Sequence, residues 1–265
     1  MKRFILSISI VALALVTACP AHALAAIYSY DDGGTREADI CIYGATSGGI
    51  MAAYTAKKAG KSVILIEPSR RIGGLTAGGL GFTDIGRVEI IRGHALEFYR
   101  RVGKTYGSNE PAFKFEPKVA LSVFEGFLRD ADITVLMERR IVKASKKGNL
   151  LTQITLEDAS NQHRPKLKVS ARMFIDCSYE GDLMARSGVS YTVGRESNAT
   201  YGEDYNGVQM LEKHQFPDGV DPYKEKGNPK SGLLYGISPL PMGRQGQADK
   251  RVQAYNFRIT MTRNP

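Results

Sequence analysis

The sequence has little of what a metal centre or a disulfide framework needs. It holds three cysteines and four histidines (His22, His94, His163 and His214), no Cys-x-x-Cys, and no two histidines at ligand spacing. An iron–sulfur cluster or a cysteine-based zinc site therefore has no ligand set, and no metal is expected. Cys41 and Cys177 each sit in an apolar, strand-like run, so buried thiols are expected rather than a bridge. No internal repeat and no long low-complexity tract is present. The longest apolar run, residues 4–18, falls short of the roughly 20 residues a membrane span requires. A basic stripe interleaved with aromatics is also missing, which argues against a nucleic-acid surface despite a formal charge of +9. The one basic cluster (Arg139, Arg140, Lys143, Lys146, Lys147) reads as a solvated face. It can attract an anionic substrate without identifying one.

What is present begins with a leader. Lys2 and Arg3 form a positive start, residues 4–18 an apolar stretch, and Pro20 breaks it. Ala21-His22-Ala23 and Ala23-Leu24-Ala25 are small-x-small cleavage signals. Export to the periplasm or the exterior is expected. Val16-Thr17-Ala18-Cys19 resembles a bacterial lipobox, so a lipid anchor at Cys19 stands as an alternative to soluble release. At 265 residues with 43% hydrophobic content, the chain can bury one large core or two modest ones.

After a polar lead-in, residues 38–43 read as a buried strand ending in glycine. Residues 47–59 read as an alanine-rich helix closed by Gly60, and 62–66 as a second strand. Residues 73–81 form a glycine-rich loop. Helices are expected over 95–102 and 119–128, and strands over 133–137, 141–144, 151–156 and 171–175. Gly148-Asn149 supplies a turn that makes a β-meander of the middle strands. Beyond Gly194 the chain becomes loop-rich. The fold class expected is α/β, Rossmann-like: a parallel sheet with flanking helices plus a β-meander.

The chemistry-bearing motif is Gly44-Ala45-Thr46-Ser47-Gly48-Gly49, a variant of G-x-G-x-x-G between strand and helix. Gly44 permits the tight turn, and Gly49 lets the helix pack closely on the strand. The helix start at Ser47 and Gly48 then offers N–H groups and a positive dipole end to a pyrophosphate. Thr46 replaces the second glycine; it costs space and is expected to add a hydroxyl donor there. Ala53 is small where the helix meets the sheet. Glu67 ends the second strand 23 residues after Gly44, the distance at which a carboxylate grips a ribose hydroxyl pair and disfavours a 2′-phosphate.

The segment Glu67-Pro68-Ser69-Arg70-Arg71-Ile72-Gly73-Gly74-Leu75-Thr76-Ala77-Gly78-Gly79 resembles the double-glycine loop of the glutathione-reductase-like flavoproteins. With Asp84, Phe115-Glu116-Pro117, residues 176–183, Gly194-Arg195-Glu196 and the run from Gln253 to Arg258, the chain resembles the N-terminal portion of the exported bacterial FAD-dependent oxidoreductase family. That resemblance implies FAD as cofactor. It implies contacts from Gly44, Thr46, Ser47, Gly48, Gly49, Glu67, Arg71, Gly73, Gly74, Thr76, Gly78 and Gly79. It also places the Ile141 backbone against adenine and brings Asp176 and Asp182 to the cofactor. For Asp176 and Asp182, helix capping is an equal alternative. The domain plan implied is a signal peptide (1–25), a linker (26–37), two FAD-binding parts (38–85 and 131–190) around a helical insertion (86–130), and the start of a substrate domain (191–265).

Proteins of this kind are longer and carry a third FAD segment near their C-terminus. The chain is therefore expected to be a fragment, an early stop or a natural deletion, and to hold FAD weakly or not at all by itself. The function expected is two-electron transfer from a small organic substrate to FAD, with the acceptor unknown. A carbohydrate-like substrate is suggested by exported relatives alone. The alternatives are an inactive remnant and an NAD-dependent dehydrogenase. The polysaccharide lyase label that travels with some relatives finds no supporting residues. No catalytic base is assigned: Glu180, Tyr179 and His94 are candidates, each better read as structural.

Overall fold

The computed structural model describes residues 27–30, 33–212, 219–252 and 261. The leader with Cys19 and His22, Asp31-Asp32, His214, the run 253–260 and residues 262–265 lie outside the described residues. The chain divides into two compact units, one ending at Val189 and one beginning at Ser190.

The first unit is built on a seven-stranded sheet of order β1-β4-β3-β2-β7-β6-β5. Its strands are β1 (Tyr28–Ser29), β2 (Gly34–Tyr43), β3 (Val63–Ile66), β4 (Val135–Leu136), β5 (Arg139–Lys147), β6 (Leu150–Asp158) and β7 (Leu167–Asp176). From β1 across to β7 all pairings are parallel, and the β7–β6 and β6–β5 pairings are antiparallel. Helices α1 (Ser47–Lys58), α2 (Gly74–Gly78), α3 (Gly93–Thr105), α4 (Pro117–Asp130) and α5 (Asp182–Arg186) complete it.

The central strands are apolar on both sides because each face meets a different layer. Ile42 and Leu65 join Ala53, Phe98, Phe124 and Phe127 in a core shared with α1, α3 and α4. Their neighbours Cys41, Tyr43 and Ile66 point the other way, into a second core with Ile141, Ile154, Leu156 and Val169 from the meander. Alternation at period two thus sorts successive residues between the cores. Both Cys41 and Cys177 are free thiols, and burial pushes Cys41 up to about 12.

Three expectations change. Residues 34–37, read as linker, are strand: Gly34 to Ala38 pair with Leu167 to Ala171 of β7, and that ladder overrides a polar sequence. The glycine-rich loop 73–81 contains the helical turn α2. The basic cluster is not uniformly solvated. Arg139 is 1% exposed, and its guanidinium nitrogens have no hydrogen-bond partner among the described residues. Arg140 pairs with Glu157, and Lys143, Lys146 and Lys147 remain exposed.

In the second unit, Arg195 of the Gly194-Arg195-Glu196 run donates from Nε to Asp249 Oδ1 (3.0 Å) and, by a second bond, to Oδ2. Their main chains form a β-bridge, and the helical turn α6 (Asn198–Tyr201) follows.

Candidate dinucleotide site

Strand β2 leaves the sheet at Gly44, whose φ of +98° suits only glycine. A Cβ there would lie 2.7 Å from the Cys177 carbonyl carbon. Five residues later the demand is steric: a Cβ on Gly49 would stand 1.9 Å from Gly44 O. These two positions let α1 start directly over the strand end. Ala53, fully buried, continues the close contact, and Gly60 closes the helix by donating to Lys57 O (2.9 Å).

Thr46 is the N-cap of α1, its Oγ1 accepting from Gly49 N–H (3.3 Å). The same hydroxyl donates its proton to Cys177 O (2.9 Å). The threonine therefore joins two turns instead of presenting a donor to a ligand, which corrects the expectation above. In the first helical turn the N–H groups of Ser47 and Gly48 have no intrahelical partner, and Gly48 is exposed.

Glu67, at the end of β3, is 7% exposed. Its Oε2 accepts from Ala45 N–H and its Oε1 from Ser69 N–H, each at 2.9 Å. Each carboxylate oxygen keeps a further lone pair for a hydroxyl donor. The Gly73 N–H donates to Ala45 O (2.7 Å) and ties the double-glycine segment to the same turn. Phe115 N–H donates to Gly81 O (2.9 Å), so the Phe115-Glu116-Pro117 run braces the loop's far end. Glu116 occupies the N-cap position of α4, and Pro117 opens that helix.

A cleft of about 330 Å³ opens between these segments, lined by Gly44, Thr46, Glu67, Arg71, Gly74 and Gly78 from the expected set. Pro68, Ser69, Ile72, Ala77, Ser178, Tyr179 and Glu180 complete it. Of the other expected residues, Ser47 and Gly48 start α1 beside it. Gly49 and Gly73 are buried behind it, and Thr76 and Gly79 belong to α2 and its C-cap.

Three expected residues lie elsewhere. The Ile141 N–H donates to Tyr43 Oη (3.2 Å) in the second core, so it is engaged within the protein. Asp176 accepts from Ser178 N–H and Oγ–H through Oδ1 (2.9 and 2.7 Å) and from Met184 N–H through Oδ2 (2.8 Å). Of its two readings, capping is the one its bonds carry. Asp182 opens α5, where its N–H donates to Ser178 Oγ (3.1 Å).

Of the three candidate bases, Tyr179 and Glu180 line the cleft and His94 does not. The Tyr179 hydroxyl accepts from Leu75 N–H (2.7 Å), in the double-glycine segment. The aromatic after the Asp176-Cys177-Ser178 turn was the available signal, but only the fold shows which wall it reaches. His94 stacks edge-on with Tyr54, ring centres 4.9 Å apart, and belongs to α1–α3 packing. Among the described residues no cluster of three potential metal ligands occurs, and no helix is long and apolar enough to cross a membrane.

The groups around the cleft suit the parts of a dinucleotide: a buried carboxylate at the end of β3 and the glycine turn after β2 line it, and an open helix start stands beside it. The family model described as FAD dependent oxidoreductase matches residues 39–265. No curated protein sequence matches the chain. Among solved structures, a flavoprotein/dehydrogenase from Cytophaga hutchinsonii shares 17% identity at a TM-score of 0.46, over 61% of this chain and 44% of its own. A geranylgeranyl bacteriochlorophyll reductase-like protein from Thermoplasma acidophilum shares 17% at 0.43, over 61% and 45%. OxyS anhydrotetracycline hydroxylase from Streptomyces rimosus shares 12% at 0.46, over 62% and 36%. The chain spans less than half the length of each.

Proposed function

Because the chain belongs to the FAD-dependent oxidoreductase family, we propose that its cleft holds the nucleotide end of FAD in an enzyme that oxidises a small organic substrate. The carrying observation is the joint between the fingerprint turn and the acidic strand end, where Glu67 accepts from Ala45 N–H. That bond fixes the carboxylate beside the open start of α1. The Ser47 and Gly48 N–H groups would then receive the diphosphate, and Glu67 the ribose hydroxyls. Gly74 and Gly78 let the main chain approach without a Cβ in the way. Arg71, exposed at the rim, adds positive charge near a dianion.

Bound FAD supplies the two-electron acceptor for the substrate. The protein's part is to orient the cofactor and exclude water around it. No residue of the cleft is assigned as catalytic base. The leader in residues 1–26 supports export, either as a soluble protein or anchored through Cys19.

The test is a titration of the purified mature chain with FAD, followed by flavin fluorescence and the visible spectrum. Binding that ADP competes away, with no comparable binding of NADH or NADPH, supports the reading. Preference for a nicotinamide cofactor, or flavin binding that ADP does not compete away, contradicts it.

A further inference from the structure

We propose that Tyr179 is a strap across the mouth of the cleft, which must release Leu75 before a dinucleotide can enter; this rests on the FAD reading of the same cleft. The residue stands in the turn between β7 and α5, on one wall. Its hydroxyl reaches the opposite wall, where it accepts from Leu75 N–H at 2.7 Å.

The opposite wall is shaped for that contact. A Cβ on Gly74 would lie 2.2 Å from Tyr179 Oη and 3.2 Å from Thr46 Cβ, so only glycine leaves room for the phenol. Three segments converge there: the fingerprint turn at Thr46, the double-glycine segment, and the turn carrying Tyr179. The residue is nonetheless 58% exposed. The hydroxyl contact is the one hydrogen bond of this side chain among the described residues.

Size argues in the same direction. The strapped cleft measures about 330 Å³, near the lower end of the roughly 300–1,000 Å³ that drug-sized ligands occupy. A dinucleotide needs more, and swinging one exposed ring outward widens the cleft without moving the sheet. A single hydrogen bond at a wet surface is weak enough to break thermally. The strap therefore slows entry and leaves the site's final affinity to the groups behind it.

Tyr179→Phe keeps the ring and removes the tether. Two measurements on the full mature chain decide the matter. In the ligand-free protein, exchange of the Leu75 amide should be several-fold faster in the variant. In stopped-flow mixing with FAD, the association rate should rise about three- to tenfold, the factor set by one hydrogen bond of ordinary net strength. Unchanged exchange at Leu75 overturns the tether. FAD binding at an equal or slower association rate overturns the gating while leaving the FAD reading intact. Absence of FAD binding in both proteins overturns both.

Discussion

The turn after β2 and the turn after β7 leave adjacent parallel strands at the same level, Tyr43 lying opposite Asp176, and each leads into a helix. The first is built from main chain. Gly44 supplies a conformation closed to other residues, Gly49 a close approach, and one threonine a cap. The second is built from side chains: Asp176 and Ser178 together accept from the Ser178, Asp182 and Met184 N–H groups. The difference decides what each can do. A turn folded by glycine leaves the N–H groups of Ser47 and Gly48 for a ligand. A turn folded by its own carboxylate has already satisfied the groups a ligand would want. The two helices match these roles, twelve residues in α1 against five in α5.

The largest effect that would break this contrast sits at Gly49. Gly49→Ala forces a Cβ against a main-chain oxygen, and the thermal unfolding midpoint should fall by the equivalent of about 3 kcal/mol. Gly48→Ala, whose Cβ would find only Thr46 Oγ1 at 3.8 Å, should change stability by less than about 0.5 kcal/mol. Equal losses at the two positions would refute close approach as the reason for the motif.

Next comes Asp176→Ala, which removes both acceptor oxygens from the side-chain-built turn. Denaturant unfolding should show a loss of about 2 kcal/mol. FAD affinity of the folded variant should move by less than about threefold. A large loss of flavin affinity at unchanged stability would return Asp176 to the cofactor. Thr46→Val should cost about 1 kcal/mol through the lost cap and the lost bond to Cys177 O. It too should leave FAD affinity nearly unchanged, because the hydroxyl already serves another turn.

The smallest effect concerns acid. Asp158 staples the β6–β7 turn as Asp176 staples its own, with Oδ1 accepting from Ser160 N–H, Ser160 Oγ–H and Asn161 N–H. Bonding from the Ser160 hydroxyl, foremost, holds its carboxyl down at about 2, below its ordinary 3.8. A depressed carboxylate contributes its stability fully above the ordinary value and loses it as pH falls through the depressed one. Amide exchange at Ser160 and Asn161 should therefore quicken between about pH 4 and pH 2, once corrected for the intrinsic pH dependence of exchange. Asp158→Asn should flatten that response.

The glycine-built region was legible in the sequence because its determinants are local. Gly44, Gly49, Ala53 and Gly60 lie within one strand–helix unit, and Glu67 follows at a fixed distance. The other determinants act across long separations. Thr46 meets Cys177 over 131 residues, Leu75 meets Tyr179 over 104, and Ile141 meets Tyr43 over 98. Local pattern cannot assign a hydroxyl's proton or an amide's partner when the candidates arrive from elsewhere in the chain. Arg139 shows the same limit, since charged neighbours in sequence do not mark a side chain that is 1% exposed.

The central claim is that FAD docks on the main-chain turn after β2, and amide hydrogen exchange with and without saturating FAD tests it most directly. Protection should appear at Ser47 and Gly48, with little change at Ser178, Asp182 and Met184. Protection confined to the turn after β7, or none at either turn, would contradict the account.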